Sequence, residues 1–297
     1  MSAQPALELP AGRRRRAVPP RLWAQMSRVR RNTIGLMGAA IIAATGLVAF
    51  FGPLAWRADY ADQAASRLLA PSAVHPLGTD ELGRDELSRI VHGAQVSLQV
   101  GMISVIIALV IGTTTGITAG FYGRAVDAVL MRGVDIMFAF PGLVLAIVIA
   151  GLLGPSRTNA MIAIGVVYAP AFARVVRGST LSVLGLPFVE AARSLGISDL
   201  RIVIRHLLPN ILAPLIVLTT VYLSTAILTE AALSFLGLGT QPPEPAWGGM
   251  LNASRSYMER APWLAIAPGL AIMIVVLGFN FLGDGLRDIL DPQLRDA

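Results

Sequence analysis

The side chains able to do chemistry in this sequence are few. There are three histidines, His75, His92 and His206, and neither cysteine nor lysine. Without a thiolate there is no disulfide, no cysteine nucleophile and no sulfur-ligated metal. Without lysine there is no Walker A loop, whose lysine reaches the β/γ-phosphates, so the chain alone supplies no ordinary P-loop ATPase. No His-Glu-x-x-His or Gly-x-Ser-x-Gly pattern occurs, which leaves an enzyme of those types without its parts. His75 and His92 stand too far apart in sequence to argue a metal site and read as satisfied surface groups. Charge is concentrated instead in "FVEAARSLGISDLRIVIRHLLPN", Phe188 to Asn210, where five charged groups and His206 lie between two long apolar runs.

The elements that must position this segment are apolar. Hydrophobic residues make up 55% of the chain and charged residues 14%, against about 25% charged in an ordinary soluble domain. Such a chain cannot wet its whole outside, and an all-α membrane protein is expected. A spanning helix needs about 20 mostly apolar residues. Six stretches qualify, roughly 33–54, 95–120, 133–153, 160–178, 210–232 and 263–283. The first ends near Trp56, an aromatic suited to the headgroup level. Its polar lead of about thirty residues is too long for a signal peptide, and the run Arg13 to Arg16 is too distant for a twin-arginine signal.

Placing the N-terminus in the cytoplasm puts 17 of the 24 arginines inside and 7 outside, so both termini are expected to be cytoplasmic. The chain then divides into a basic leader (1–32), a first transmembrane helix (33–54) and an extracytoplasmic segment (55–94). A five-helix core (95–284) with a cytoplasmic loop (179–209) follows, then a tail (285–297). The leader reads as a basic arm drawn to anionic lipid by about 1 kcal/mol per arginine. Gly112, Gly116 and Gly120, four residues apart, predict close helix packing. Pro141 and Pro170 predict kinks.

The loop itself predicts two short helices. Pro187 suits a first turn, Gly196 the residue after a helix end, and Ser198 an N-cap with Asp199 complementing the dipole. Phe188, Ala191, Ala192 and Leu195 form a shallow apolar face with Glu190 beside it. Leu200, Val203, Ile204 and Leu207 form a second face, with Arg201 and Arg205 together on another, and Pro209 limits continuation. A hairpin lying on the bilayer with its arginines at lipid phosphates fits this pattern. So does a docking element seated in a partner's groove.

The spacing Glu190-Ala191-Ala192-x3-Gly196-x9-His206-x-Leu208-Pro209 resembles the EAA loop of ATP-binding-cassette importer permeases. The resemblance implies a six-helix transmembrane bundle of the MetI-like permease type. It also implies that Glu190, Ala191, Ala192, Arg193, Gly196, His206, Leu208 and Pro209 couple the chain to an ATPase, with Glu190 in contact and Gly196 at the bend. A second block, "HPLGTDELGRDELSRIVHGAQVSLQVG" from His75 to Gly101, is similar to the HPLGTDxxGRD signature of the second permease subunit in the dipeptide, oligopeptide and nickel branch. Within that block Asp85 and Arg89 are spaced to pair at i, i+4. Leu87, Ile90 and Val91 make the stripe of an interfacial helix. Leu233 to Leu251 and Pro268 to Pro292 are similar to the same branch, so the likeness covers roughly residues 30–292.

By that resemblance the partners are a homologous second permease, forming a heterodimer, two ATPase subunits that bind ATP and magnesium, and an extracytoplasmic solute-binding protein. The chain itself is expected to carry no cofactor, metal or catalytic residue, to bind no nucleic acid, and to lie in a bacterial plasma membrane importing dipeptides or oligopeptides. Nickel import is the alternative, against which sparse histidines lean. An ion-coupled secondary transporter would want midplane carboxylates and repeat symmetry, and would leave the EAA-like block unexplained. Pro242, Pro243, Pro245, Gly248 and Gly249 forbid a long helix in the outer loop. Trp247 suits the interface, and the family implies that Trp247 and Gly248 meet the binding protein. Glu230, an ionisable group at the outer end of span five, reads as substrate contact, a snorkelling group or an interhelical partner. Asp284 and Asp288 read as capping or charge-pairing groups.

Overall fold

Each long apolar run becomes a helix opened by a local capping device. In the computed structural model, which describes residues 32–56 and 59–290, the Asn32 side-chain oxygen Oδ1 accepts the Gly35 N–H at 2.8 Å and opens α1, Thr33–Ala55. Asp85 accepts from Ser88 N–H at 2.8 Å and opens α2, Glu86–Tyr122. Span two therefore starts well before residue 95, and the interfacial helix expected at its front is the first turns of α2. The leader (1–31), residues 57 and 58, and positions 291–297 of the tail lie outside the described residues.

α3, Arg124–Phe138, and α4, Gly142–Leu153, replace the single helix expected over 133–153, and they meet at a bend of 93°. Pro141 sits at the break as the residue before α4, where its missing N–H stops the ladder of the preceding helix. α5, Arg157–Leu184, contains Pro170 without ending there. After α6, Pro187–Ser194, a short α7, Asp199–Ile202, runs through a π turn, Val203–Leu207, into α8, Leu208–Phe235. Pro209, expected to limit continuation, instead occupies the first turn of α8, where a missing donor costs little. α9, Trp247–Ser254, and α10, Trp263–Leu290, complete the chain. Five helices are long and apolar enough to cross a membrane, or six spans if the bent pair is one; no strand occurs among the described residues.

α2 and α5 form the centre. Gly112 meets Phe172 and the Ala169 carbonyl, and a Cβ on Gly116 would lie 2.5 Å from the Ala173 oxygen and 2.9 Å from the Arg177 nitrogen. At Gly120 it would lie 2.8 Å from Thr180. The three glycines thus let one backbone lie against another, as small residues do between helices in lipid. Val100, Val105 and Ala108 of α2, Ile164 and Phe172 of α5, and Ile211 and Ile227 of α8 fill the core. α1 closes on α10 by the same device, Gly35 against Gly285, and Asn32 donates to the Gly285 carbonyl and to Asp288, both at 3.2 Å. Phe50, Val129 and Leu152 point outward, as a lipid-facing surface allows.

Gly116→Ala tests this packing with the sign against helix propensity, which favours alanine by up to about 1 kcal/mol. The new methyl meets backbone atoms that cannot turn aside, so a net loss of about 2 kcal/mol is expected. It reads as a lower unfolding midpoint of the purified chain in detergent. Gly151→Ala, with nothing within 4 Å of its Cβ position, should show no loss.

Candidate functional site

The segment between α5 and α8 is a rigid hairpin with a charged outer face. Pro187 opens α6 at its first turn. Gly196 follows with φ of 75°, and the Ile197 N–H reaches back to the Ala192 carbonyl at 3.2 Å, which closes α6 in the manner of a left-handed C-terminal cap. Ser198 holds the N-cap position of α7 but its side chain makes no capping hydrogen bond.

The apolar faces match the spacing only in part: Ala192 and Leu207 are buried as expected, whereas the rest of each buried set differs. Val189 and Ala192 turn into the core from α6, and Ile202 and Leu207 from the second arm. Phe188, Leu195, Leu200 and Ile204 are exposed. The π turn is the cause in the second arm: its i→i+5 bonding, seen as Leu208 N–H to the Val203 carbonyl, brings residues five apart onto one side. Ala192 therefore packs within its own chain, whereas Glu190, Ala191, Arg193, Arg201, Arg205 and Pro209 are exposed and His206 and Leu208 half-buried. Among the described residues, none of Glu190, Arg193, Arg201 and Arg205 forms an ion pair. The Arg193 guanidinium lies 5.3 Å from the Phe121 ring, and His206 faces Phe188 at 6.0 Å. The result is five charges, Asp199 included, without an ion pair among the described residues on a ridge of exposed apolar side chains, with a buried set behind it.

At the opposite end of the bundle Glu230 is buried, accepting from Ser234 Oγ at 2.7 Å and from Ser97 Oγ of α2 at 3.4 Å. Of the three readings for this carboxyl, interhelical pairing is what the geometry contains. Ser234 Oγ in turn accepts the Thr240 N–H at 3.2 Å, which pins the outer loop. Trp247 is not at a lipid interface: it is 2% exposed and donates from Nε1 to the Ile90 carbonyl at 3.1 Å. Gly248 lies against the backbone of Ala231. The exposed residues between α8 and α9 are Leu236, Gly237, Gln241, Pro242 and Pro243.

The sequence reading missed a buried charge network beside that loop. Asp80 takes Arg84 Nε at 2.6 Å and faces Arg89 Nε at 3.5 Å, and Arg84 also reaches Glu81 at 3.3 Å. Asp85 does not pair with Arg89. Its carboxylate is taken up by His75 Nδ1 at 2.8 Å, Trp56 Nε1 at 3.1 Å and the Ser88 N–H, so Arg89 turns to Asp80 instead. The indole expected at the headgroups is thus a hydrogen-bond donor inside the network. A recess of about 350 Å³ opens between these charges and the outer loop, lined in part by Glu81, Arg84, Thr240, Glu244 and Asn252. The cue to the network was the clustering of Asp80, Arg84, Asp85 and Arg89, which i, i+4 spacing alone mispaired.

Comparison with known proteins follows this geometry. The family described as "Binding-protein-dependent transport system inner membrane component" matches residues 112–296. The dipeptide transport system permease protein of Alkalihalophilus pseudofirmus is 48% identical over 281 residues, 94% of this chain and 92% of that one. The glutathione transport system permease protein of Pectobacterium atrosepticum is 49% identical over 225 residues, 76% and 75% of the two chains. The di/tripeptide transport system permease protein of Pseudomonas aeruginosa is 46% identical over 256 residues, 84% of each. Among solved structures, a chain of the MetNI methionine ABC transporter in an inward-facing conformation superposes with a TM-score of 0.55 at 22% identity, covering 67% of this chain and 95% of that one. That likeness establishes the fold.

The charge network makes a direct stability prediction. Asp80→Ala leaves Arg84 and Arg89 buried with their shared acceptor gone, a change expected to cost about 3–5 kcal/mol. Thermal unfolding of the purified chain should show this, whereas the exposed Glu259→Ala should leave the midpoint in place.

Proposed function

Since the chain belongs to the family of binding-protein-dependent transport system inner membrane components, a multi-pass protein of the bacterial inner membrane, we propose that it forms half of the translocation pathway of an ATP-driven importer of short peptides. The single observation that carries the reading is the hairpin: a ridge of unpaired charge and exposed apolar side chains, backed by Val189, Ala192, Ile202 and Leu207. A hairpin merely resting on lipid needs no such rigid backing. A surface that must receive force from a protein does. The chain has no lysine to build a P-loop, so the force comes from ATPase subunits that hold ATP and magnesium, and the hairpin is where they dock.

The arginine distribution orients the hairpin toward the cytoplasm. The outer loop around Gln241 to Pro243 then faces the extracytoplasmic binding protein, and a second, homologous permease completes the pathway. Closure of the ATPases draws two hairpins together, and the bundles rock between inward- and outward-open arrangements. Peptides are favoured as cargo because the relatives named above carry dipeptides, di- and tripeptides or glutathione, all short chains with a free ammonium and carboxylate. The permease lowers no chemical barrier; it supplies two alternative packings that its partners bias.

Glu190→Arg tests the docking face in the complete transporter, with both permeases, the ATPases and the binding protein in liposomes. Losing a charged interface contact of about 2–5 kcal/mol should reduce binding-protein-stimulated ATP hydrolysis and uptake at least about tenfold, while the complex stays assembled. Normal coupled turnover in that variant would overturn the reading. In the cysteine-free chain, a cysteine at exposed Ala191 should crosslink to the ATPase cleft and one at buried Ala192 should not. Mass spectrometry of ligand carried by the cognate binding protein should find short peptides.

A further inference from the structure

α3 is the least anchored of the longer helices. Of its 15 residues only Val134 is buried. It follows α2 directly at Gly123, whose φ is 62°, and ends at the 93° bend into α4. What holds its flank to α5 is charge. Asp127 takes Arg177 through both Nε and Nη2, at 2.5 and 2.6 Å. Asp135 takes Arg174 Nη2 at 2.9 Å, and that guanidinium lies 4.2 Å from the Phe138 ring centre. The two pairs differ in weight. Arg177 and Asp127 are 33% and 23% exposed and joined by a two-point fork. Arg174 and Asp135 are more than half exposed, and such surface pairs add little.

The spacing of the pairs gives the crossing geometry. They stand eight residues apart on α3 and three apart on α5, about 12 Å against about 4.5 Å at the helical rise. α3 therefore runs at an angle to α5, and the less exposed of its two pairs is Asp127–Arg177. α5 itself cannot slip against α2, because the glycine contacts at Gly112, Gly116 and Gly120 run along it as far as Thr180. It ends at Leu184, and the hairpin helix starts at Pro187. One side of the crossing is thus a packed body that carries the docking hairpin. The other is an elbow with almost no apolar anchorage.

We infer that the Asp127–Arg177 fork is a positioning clip that makes the α3–α4 elbow follow the docking hairpin, so that movement received at α6 reaches α4 through this pair. The inference rests on the docking role proposed for the hairpin. Packing would tie α3 to α5 at one fixed angle, since interdigitated side chains resist rotation. The fork fixes the two head groups against each other, while torsions of the two side-chain stems let the angle between the helices change. Arg177 and Asp127 act through the elbow and touch no cargo in this account.

The test uses the complete transporter in liposomes and reads peptide imported per ATP hydrolysed. Arg177→Gln and Asp127→Asn should each lower that ratio about fivefold or more, the lower range of ordinary coupling energies. The exchanged pair Asp127→Arg with Arg177→Asp should recover most of it, which a general loss of stability would not allow. An unchanged ratio in the single variants, or no recovery in the exchanged pair, overturns the inference. Spin labels at exposed Ala125 and Ser182 read the clip without transport. Their distance distribution should be narrow with and without nucleotide in the native background and broad in Arg177→Gln; equal widths overturn the inference too. The Glu190→Arg result separates the two failures. If it remains fully coupled, the docking role falls. If it uncouples while the clip variants do not, only the clip falls.

Discussion

The structure depends on backbones coming into direct contact. In lipid an apolar side chain gains nothing by leaving its surroundings for another apolar side chain, so helices cohere through close packing and a few polar bonds. Gly112, Gly116 and Gly120 bring α2 onto α5, and Gly35 with Gly285 brings α1 onto α10. Once α2 and α5 are locked, α8 packs beside them through Ile211 and Ile227, and the hairpin between α5 and α8 has two fixed ends. Its own buried set then decides which face is left outside. The charged ridge is the residue of that packing, and its charges form no ion pair among the described residues because the buried set turns them outward.

The two ends of the bundle use polar groups differently. At the end that carries Glu230, carboxylates and guanidiniums are buried together and most are taken up by a named partner: Asp80 by Arg84, Asp85 by His75 and Trp56, Glu230 by two serines, while one oxygen of the buried Glu86 has none among the described residues. Buried charge is tolerable only when so matched, and the matching sets the course of residues 59–85. At the hairpin end the charges face outward without an ion-pair partner among the described residues. Matched charge builds shape, and unmatched charge leaves a surface that a second protein can complete.

Much of this was legible in the sequence, for reasons that also explain what was not. Apolar length marked the spans because burial in lipid is a property of composition. The Gly-x-x-x-Gly run marked a close contact because no other residue permits one. Hydropathy carries no direction, so the 93° turn at Pro141 was invisible within one apolar stretch. The start of α2 was missed because Glu86, Ser88 and Arg89 look like surface residues when read singly and are buried once the network closes. In the hairpin the regular period found Ala192 and Leu207 but missed Val189 and Ile202, the latter because the π turn alters the winding of the second arm. Trp247 was assigned to the membrane surface by residue type; a carbonyl on Ile90 claimed its N–H instead.

The π turn has a mechanical consequence. α7, the turn and α8 form one uninterrupted helical rod of 37 residues, about 55 Å long at 1.5 Å per residue. One tip carries Leu200 and Arg201 of the hairpin; the other carries Ser234, whose hydroxyl holds Thr240. A displacement of the hairpin tip is therefore carried to the Ser234 end along one continuous helix rather than across a side-chain interface.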